Sequence, residues 1–134
     1  MDFDTKALPA TPDEIAPDGS DVRVLLILER GGLAHFELAA GETSKATAHK
    51  TVEELWYILS GRGEMWRKLG DREEIVAMEP GICLSIPTGT RFQFRSVGDE
   101  PLRVVGSTMP PWPGPSEAYA VDGEWEPTSP RKGA

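Results

Sequence analysis

Two histidines, His35 and His49, and one cysteine, Cys83, are the whole supply of those side chains in a chain of 134 residues. Chemistry is therefore sought where a carboxylate accompanies a histidine. That occurs in the stretch Thr47 to Gly63, which runs Thr-Ala-His-Lys-Thr-Val-Glu-Glu-Leu-Trp-Tyr-Ile-Leu-Ser-Gly-Arg-Gly. A histidine near a carboxylate can pass protons near neutral pH. The same pair can also do no more than hydrogen-bond to each other. His49 and Glu54 are the catalytic candidates on this reasoning. Thr47 can both donate and accept a hydrogen bond, and is a poor transition-metal ligand. Cys83 and Ser85 share a strand face, but no third residue completes a nucleophile triad, so Cys83 reads as a small core residue.

These residues need strands to position them. Residues two apart share a face, so Glu54, Trp56 and Ile58 point one way and Leu55, Tyr57 and Leu59 the other. A carboxylate beside a tryptophan on a burial face is costly unless something pairs with it. Along the chain, Val22–Leu28 is apolar and is followed by Gly31-Gly32, a hairpin signal. Leu33–Leu38 alternates, with His35 opposite Ala34, Phe36 and Leu38, so His35 is expected to be structural or solvent-facing. Glu64–Lys68, Glu74–Met78, Ile82–Ile86, Arg91–Ser96 and Leu102–Thr108 read as further strands, punctuated by Gly, Pro and Asp. Short strands at this spacing with no helical period argue an all-β sandwich or barrel. Phe92 and Phe94 share a face, and with Trp56 and Trp66 they suggest an aromatic-lined cavity. Glu64 shares parity with Trp66 and is a second carboxylate candidate for that cavity.

Composition bounds the rest. The length fits one domain. The net charge is −8, and no Lys/Arg cluster offers the electrostatic footprint of a nucleic-acid binder. No apolar run approaches a membrane span, and the N-terminus lacks a basic-then-apolar signal. With a single cysteine, this leads to the expectation of a cytoplasmic protein. Residues 1–20 read as an extended N-terminal arm and residues 21–109 as the β domain. Residues 110–134 hold half of the prolines together with Trp112 and Trp125; they read as a segment packed on the domain, with Ser129 to Ala134 loose.

The central stretch resembles the first motif of the cupin superfamily: Gly, five residues, His-x-His, three or four residues, Glu, six residues, Gly. Gly41, Thr47, His49, Glu54 and Gly61 fall in register, with Thr47 in the first His position. The second motif is Gly, five residues, Pro-x-Gly, two residues, His, three residues, Asn. Gly81, Pro87 and Gly89 match it, while Phe92 takes the His position and Ser96 the Asn position. The resemblance implies a double-stranded β-helix, a jelly-roll barrel with a pocket, and a homodimer. The usual cupin site holds a divalent metal with three His and one Glu, a set that two histidines cannot supply. The expectation is thus a protein without metal or other cofactor that handles a small molecule by acid–base chemistry such as isomerisation, epimerisation or elimination. Thr47, Trp56, Glu64, Trp66, Phe92 and Phe94 would bind the substrate. The alternatives are a non-catalytic binding or sensing module, and a metal enzyme with an incomplete ligand set.

Overall fold

A computed structural model describes residues 3–128. It contains eleven strands: β1 (Glu14–Ile15), β2 (Asp21–Leu28), β3 (Gly31–Leu38), β4 (Thr47–His49), β5 (Glu53–Ser60), β6 (Gly63–Leu69), β7 (Arg72–Met78), β8 (Cys83–Ile86), β9 (Arg91–Ser96), β10 (Leu102–Met109) and β11 (Ala118–Ala120). The single helical element among the described residues, a 3₁₀ turn at Pro115–Glu117, precedes β11. No helix among the described residues is long and apolar enough to cross a membrane. The expectation for Ser129 to Ala134 lies outside the described residues.

The strands form two antiparallel sheets, one ordered β1-β2-β3-β10-β5-β8 and the other β11-β4-β9-β6-β7. This is a jelly roll. Alternation builds its interior: β5 buries Glu54, Trp56 and Ile58 and exposes Leu55, Tyr57 and Leu59. β10 likewise buries Leu102, Val104, Gly106 and Thr108. Between the sheets Ile58, Met65, Phe92, Phe94 and Val104 are almost wholly removed from water. Such side chains contribute roughly 1.5–3 kcal/mol each on burial.

One glycine shapes the interior near the site. A β-carbon on Gly106 would come 2.8 Å from Phe36 Cε2 and 2.9 Å from Trp56 Cδ1. Its absence leaves room for those two rings, which stack at 5.4 Å and 27°. At the β2–β3 hairpin the turn falls on Glu29-Arg30 rather than on the glycines. Gly31 and Gly32 instead open β3, where a β-carbon on Gly31 would lie 3.1 Å from the Thr108 carbonyl of neighbouring β10.

Both flanking segments are bound to the sheets. β1 pairs with β2, and the chain between them turns Asp18 into the interior. At the other end β11 adds to β4, pairing Ala118 with His49. Glu117 anchors that strap by accepting hydrogen bonds from Thr51 N (2.6 Å), Thr51 Oγ1 (2.6 Å) and Val52 N (2.9 Å). Farther along, the Gln93 side chain bonds both the N–H (2.8 Å) and the carbonyl (2.7 Å) of Trp125. Arg95 lies 4.2 Å over the Trp125 ring.

Candidate functional site

β4 is short and wholly buried, because β9 flanks it on one side and β11 on the other. It delivers Thr47 and His49 to the interior, and β5 delivers Glu54 and Trp56 beside them. The Trp56 indole N–H donates to Glu54 Oε1 at 2.9 Å. Glu54 Oε2 lies 3.2 Å from His49 Nδ1. That contact is close but not aligned as a hydrogen bond, so the buried Nδ1 is left without a partner. The imidazole is fixed by edge-on rings instead, Phe92 at 5.3 Å and Trp112 of the C-terminal strap at 5.1 Å.

The separation alone would permit an ion pair, but the electrostatics oppose one. Burial pushes the Glu54 carboxyl up to about 7; the Trp56 hydrogen bond pulls it down and nearby Asp18 pushes it further up. Burial pushes His49 down to about 4, against the upward pull of Glu117. Near neutral pH the imidazole is therefore uncharged, and Glu54 stands close to half-protonated. A buried carboxyl and imidazole that share one proton are poised for transfer.

Both residues line a cavity of about 250 Å³. Its walls are largely apolar: Val22, Val24 and Ile27 from β2, Ala34 and Phe36 from β3, and the Trp56 and Trp112 rings. Thr47 also lines it. So does Asp18, whose Oδ1 accepts from Ser20 N (2.9 Å) and Ser20 Oγ (2.7 Å). Burial raises the Asp18 carboxyl, offset in part by those Ser20 bonds.

Of the residues singled out from sequence, Thr47, His49, Glu54 and Trp56 meet at this cavity. Phe92 touches the His49 and Trp56 rings but stands behind them in the core, as does Phe94, edge-on to Trp56 at 5.1 Å. Glu64 and Trp66 are corrected. On β6 the inward residue is Met65, opposite Phe94 of β9, so its neighbours face outward. Glu64 binds Arg95 at 2.6 Å, and the Trp66 N–H donates to Glu73 at 2.8 Å. Cys83 is also corrected: it is exposed, because Leu84 and Ile86 take the inward positions of β8. His35 lies off the cavity, on the other face of β3 from Phe36, and is buried rather than solvent-facing. The sequence reading missed Asp18 and Phe36 as cavity residues. The Asp-Gly-Ser run was legible only as a turn; Phe36 was visible in its strand parity.

A match to the cupin domain family spans residues 34–107. The chain is 31% identical over 116 residues to an uncharacterised protein, MJ1618, of Methanocaldococcus jannaschii, covering 80% of this chain and 90% of that protein. The chain belongs to the cupin family. Among solved structures it is similar in fold to BH2720 of Bacillus halodurans, with TM-score 0.63 and 19% identity over 75% of this chain and 74% of that one. It is also similar to an oxalate decarboxylase of Bacillus subtilis, with TM-score 0.67 and 16% identity, covering 80% of this chain but only 29% of the decarboxylase.

The metal that cupin folds commonly hold does not fit the residues present. The four ligand positions are occupied by Thr47, His49, Glu54 and Phe92, which supply one imidazole and one carboxylate. One carboxylate oxygen already accepts from Trp56, and Phe92 is a buried carbon wall against the imidazole. No group of three His, Cys, Asp or Glu side chains among the described residues is arranged to hold a metal ion. Zinc, for instance, asks for four protein ligands in structural sites and three in catalytic ones.

Proposed function

We propose that this cupin is a small-molecule enzyme that works by proton transfer, of isomerase, epimerase or lyase type, in the cavity lined by His49 and Glu54. One observation carries the reading: a carboxyl and an imidazole 3.2 Å apart, both buried and both opening onto a cavity, with the ring nitrogen between them left unpartnered. Glu54 is the group that changes protonation near neutral pH. His49, held neutral, accepts a proton at Nδ1 or steadies the carboxyl. Trp56 fixes Glu54 Oε1, so that Oε2 is the reacting oxygen. The Trp112 ring of the strap meets the imidazole edge-on and limits its contact with solvent. A proton removed from one atom of a bound molecule and returned to another leaves the pair as it began, which suits isomerisation and elimination alike.

Solvent-deuterium incorporation tests this. A panel of small polar metabolites incubated with the protein in heavy water is expected to yield at least one compound that gains deuterium, as read by NMR. Glu54→Gln and His49→Gln should each remove most of that exchange. A compound that binds the cavity and is never labelled or transformed refutes the enzyme reading in favour of a sensing module.

Association as a homodimer is part of the same proposal. The outer face of the six-stranded sheet leaves Leu33, Leu55, Tyr57 and Leu59 exposed, and a shallow groove there is lined chiefly by apolar side chains. A second copy offers the self-complementary cover that a two-fold interface requires.

A further inference from the structure

The charges around the cavity are one-sided. Glu14, Asp18 and Glu54 all line it, and no lysine or arginine among the described residues does. Its single basic side chain, His49, is held in the neutral form by burial. One of its polar atoms awaits a partner: His49 is 6% exposed with Nδ1 unpaired. Asp18 is 8% exposed, and its Oδ1 accepts from Ser20 N and Ser20 Oγ. Three aromatic rings complete the lining: Phe36 and Trp56, stacked on each other, and Trp112, edge-on to His49.

We infer that the cavity selects a small organic cation, an amine or ammonium group on a compact apolar body, with Asp18 and Glu54 as its counter-charges and the Trp56, Trp112 and Phe36 rings around it. An anion would enter against the buried carboxyls of Asp18 and Glu54, with exposed Glu14 nearby and no cationic side chain among the described residues of the lining to receive it. A neutral molecule would offer those carboxyls no counter-charge. A cation pairs with them and meets ring faces that attract positive charge. The raised Asp18 and Glu54 carboxyls agree with this: burial disfavours each as an anion, and a bound cation relieves that penalty. About 250 Å³ equals the liquid volume of roughly eight water molecules, which limits the guest to a compact molecule. The inference names the substrate class of the cavity on which the proton-transfer reading rests. It is tested by binding without turnover, so the two fail separately.

Three probes share one carbon skeleton and differ in charge: 3,3-dimethylbutylammonium, 3,3-dimethylbutan-1-ol and 3,3-dimethylbutanoate. Each is titrated into the full-length protein at neutral pH and physiological salt, followed by calorimetry and by tryptophan fluorescence. The ammonium should bind at least about tenfold tighter than the alcohol, and the carboxylate should not bind. That ratio is within what Coulomb's law gives one charge contact at about 4 Å between bulk water and a protein surface. Asp18→Asn and Glu54→Gln should each weaken the ammonium by about the same factor and leave the alcohol unchanged. Glu53→Gln, which alters an exposed carboxylate one residue away, should change neither. Equal or tighter binding of the alcohol or the carboxylate overturns the inference, as does failure of the ammonium to bind at millimolar concentration. So does retention of its affinity in both Asp18→Asn and Glu54→Gln.

Discussion

Glu54→Gln and His49→Gln together ask which state the central pair occupies, and the answer is written in the pH dependence of stability. Glu54 moves from its ordinary 4.5 to about 7 on folding. At 1.36 kcal/mol per pH unit, this amounts to about 3 kcal/mol. The folded state holds the proton longer than the unfolded chain, so the contribution is full below pH 4.5 and is lost as pH rises to 7. His49 moves from 6.5 to about 4, also worth about 3 kcal/mol, with the opposite slope. Its contribution is full above pH 6.5 and is lost as pH falls to 4. Between about pH 4.5 and 6.5 the two slopes cancel in the wild-type protein. Removing either group exposes the other. Relative to wild type, Glu54→Gln should gain about 3 kcal/mol between pH 4 and pH 8. His49→Gln should gain a similar amount as pH falls from about 7 to 4. Gln at position 54 can still accept from the Trp56 indole, so the comparison isolates the charge. His35 also titrates at a shifted position, but all three proteins share it and it drops out of the differences. Asp18 and Glu117 interact with Glu54 and His49 respectively, so they respond to the substitutions and alter the size of each difference. Urea unfolding followed by tryptophan fluorescence across this pH range supplies the curves. Flat difference curves would show ordinary titration. An ion pair would invert the sign of both, because pairing lowers the carboxylate and raises the imidazole. Either result refutes the neutral-pair reasoning and the proton-transfer role built on it.

Glu117→Ala should strip the C-terminal strap of three charge-assisted hydrogen bonds and cost on the order of 3 kcal/mol. The measurements are a lowered Tm and a red-shifted Trp112 emission as the ring leaves His49; an unchanged Tm would show that the strap is held by β11 alone. Tyr57→Lys, placed at the centre of the exposed apolar sheet face, should convert a dimer to a monomer in analytical ultracentrifugation without changing the far-ultraviolet circular dichroism. A wild-type protein that sediments as a monomer refutes the dimer.

The alternation of β5 was legible because every residue from Glu53 to Leu59 obeys it, and a Trp–Ile pair cannot change face without emptying the core. With the face of β5 known, the meeting of Glu54 and Trp56 followed, and motif spacing added His49 and Thr47. What failed had a different cause. The sequence reading groups Trp66 with Trp56, Phe92 and Phe94 as an aromatic lining, and Glu64 follows by parity, yet Trp66 is buried on the outer face. It lies opposite Gln93 across the β6–β9 ladder, and Gln93 holds the backbone of Trp125. No local pattern registers a cover supplied from the far end of the chain. Cys83 failed the other way: a preference of cysteine for interiors was given weight over the parity of Leu84 and Ile86. Asp18 was invisible because a turn residue carries no periodicity, and only the closing of β1 onto β2 turns its carboxyl toward Glu54.

The departures from the cupin ligand pattern and the negative lining of the cavity belong to one physical problem. A buried carboxylate requires compensation, which in the metal-holding arrangement comes from a divalent ion shared with imidazoles. Here Phe92 and Thr47 remove two of the nitrogen donors, while Glu54 stays and Asp18 lies close enough to raise it further. Nothing in the fold requires an ionisable group at position 54, since Gln would accept the same Trp56 hydrogen bond without the cost of burying a charge. About 3 kcal/mol of stability is therefore forgone near neutral pH. That sum is recoverable only from a guest that favours the ionised form or takes its proton. Binding of a cation and transfer of a proton are the two ways a small molecule can do so, and the cavity beside Glu54 is open to both.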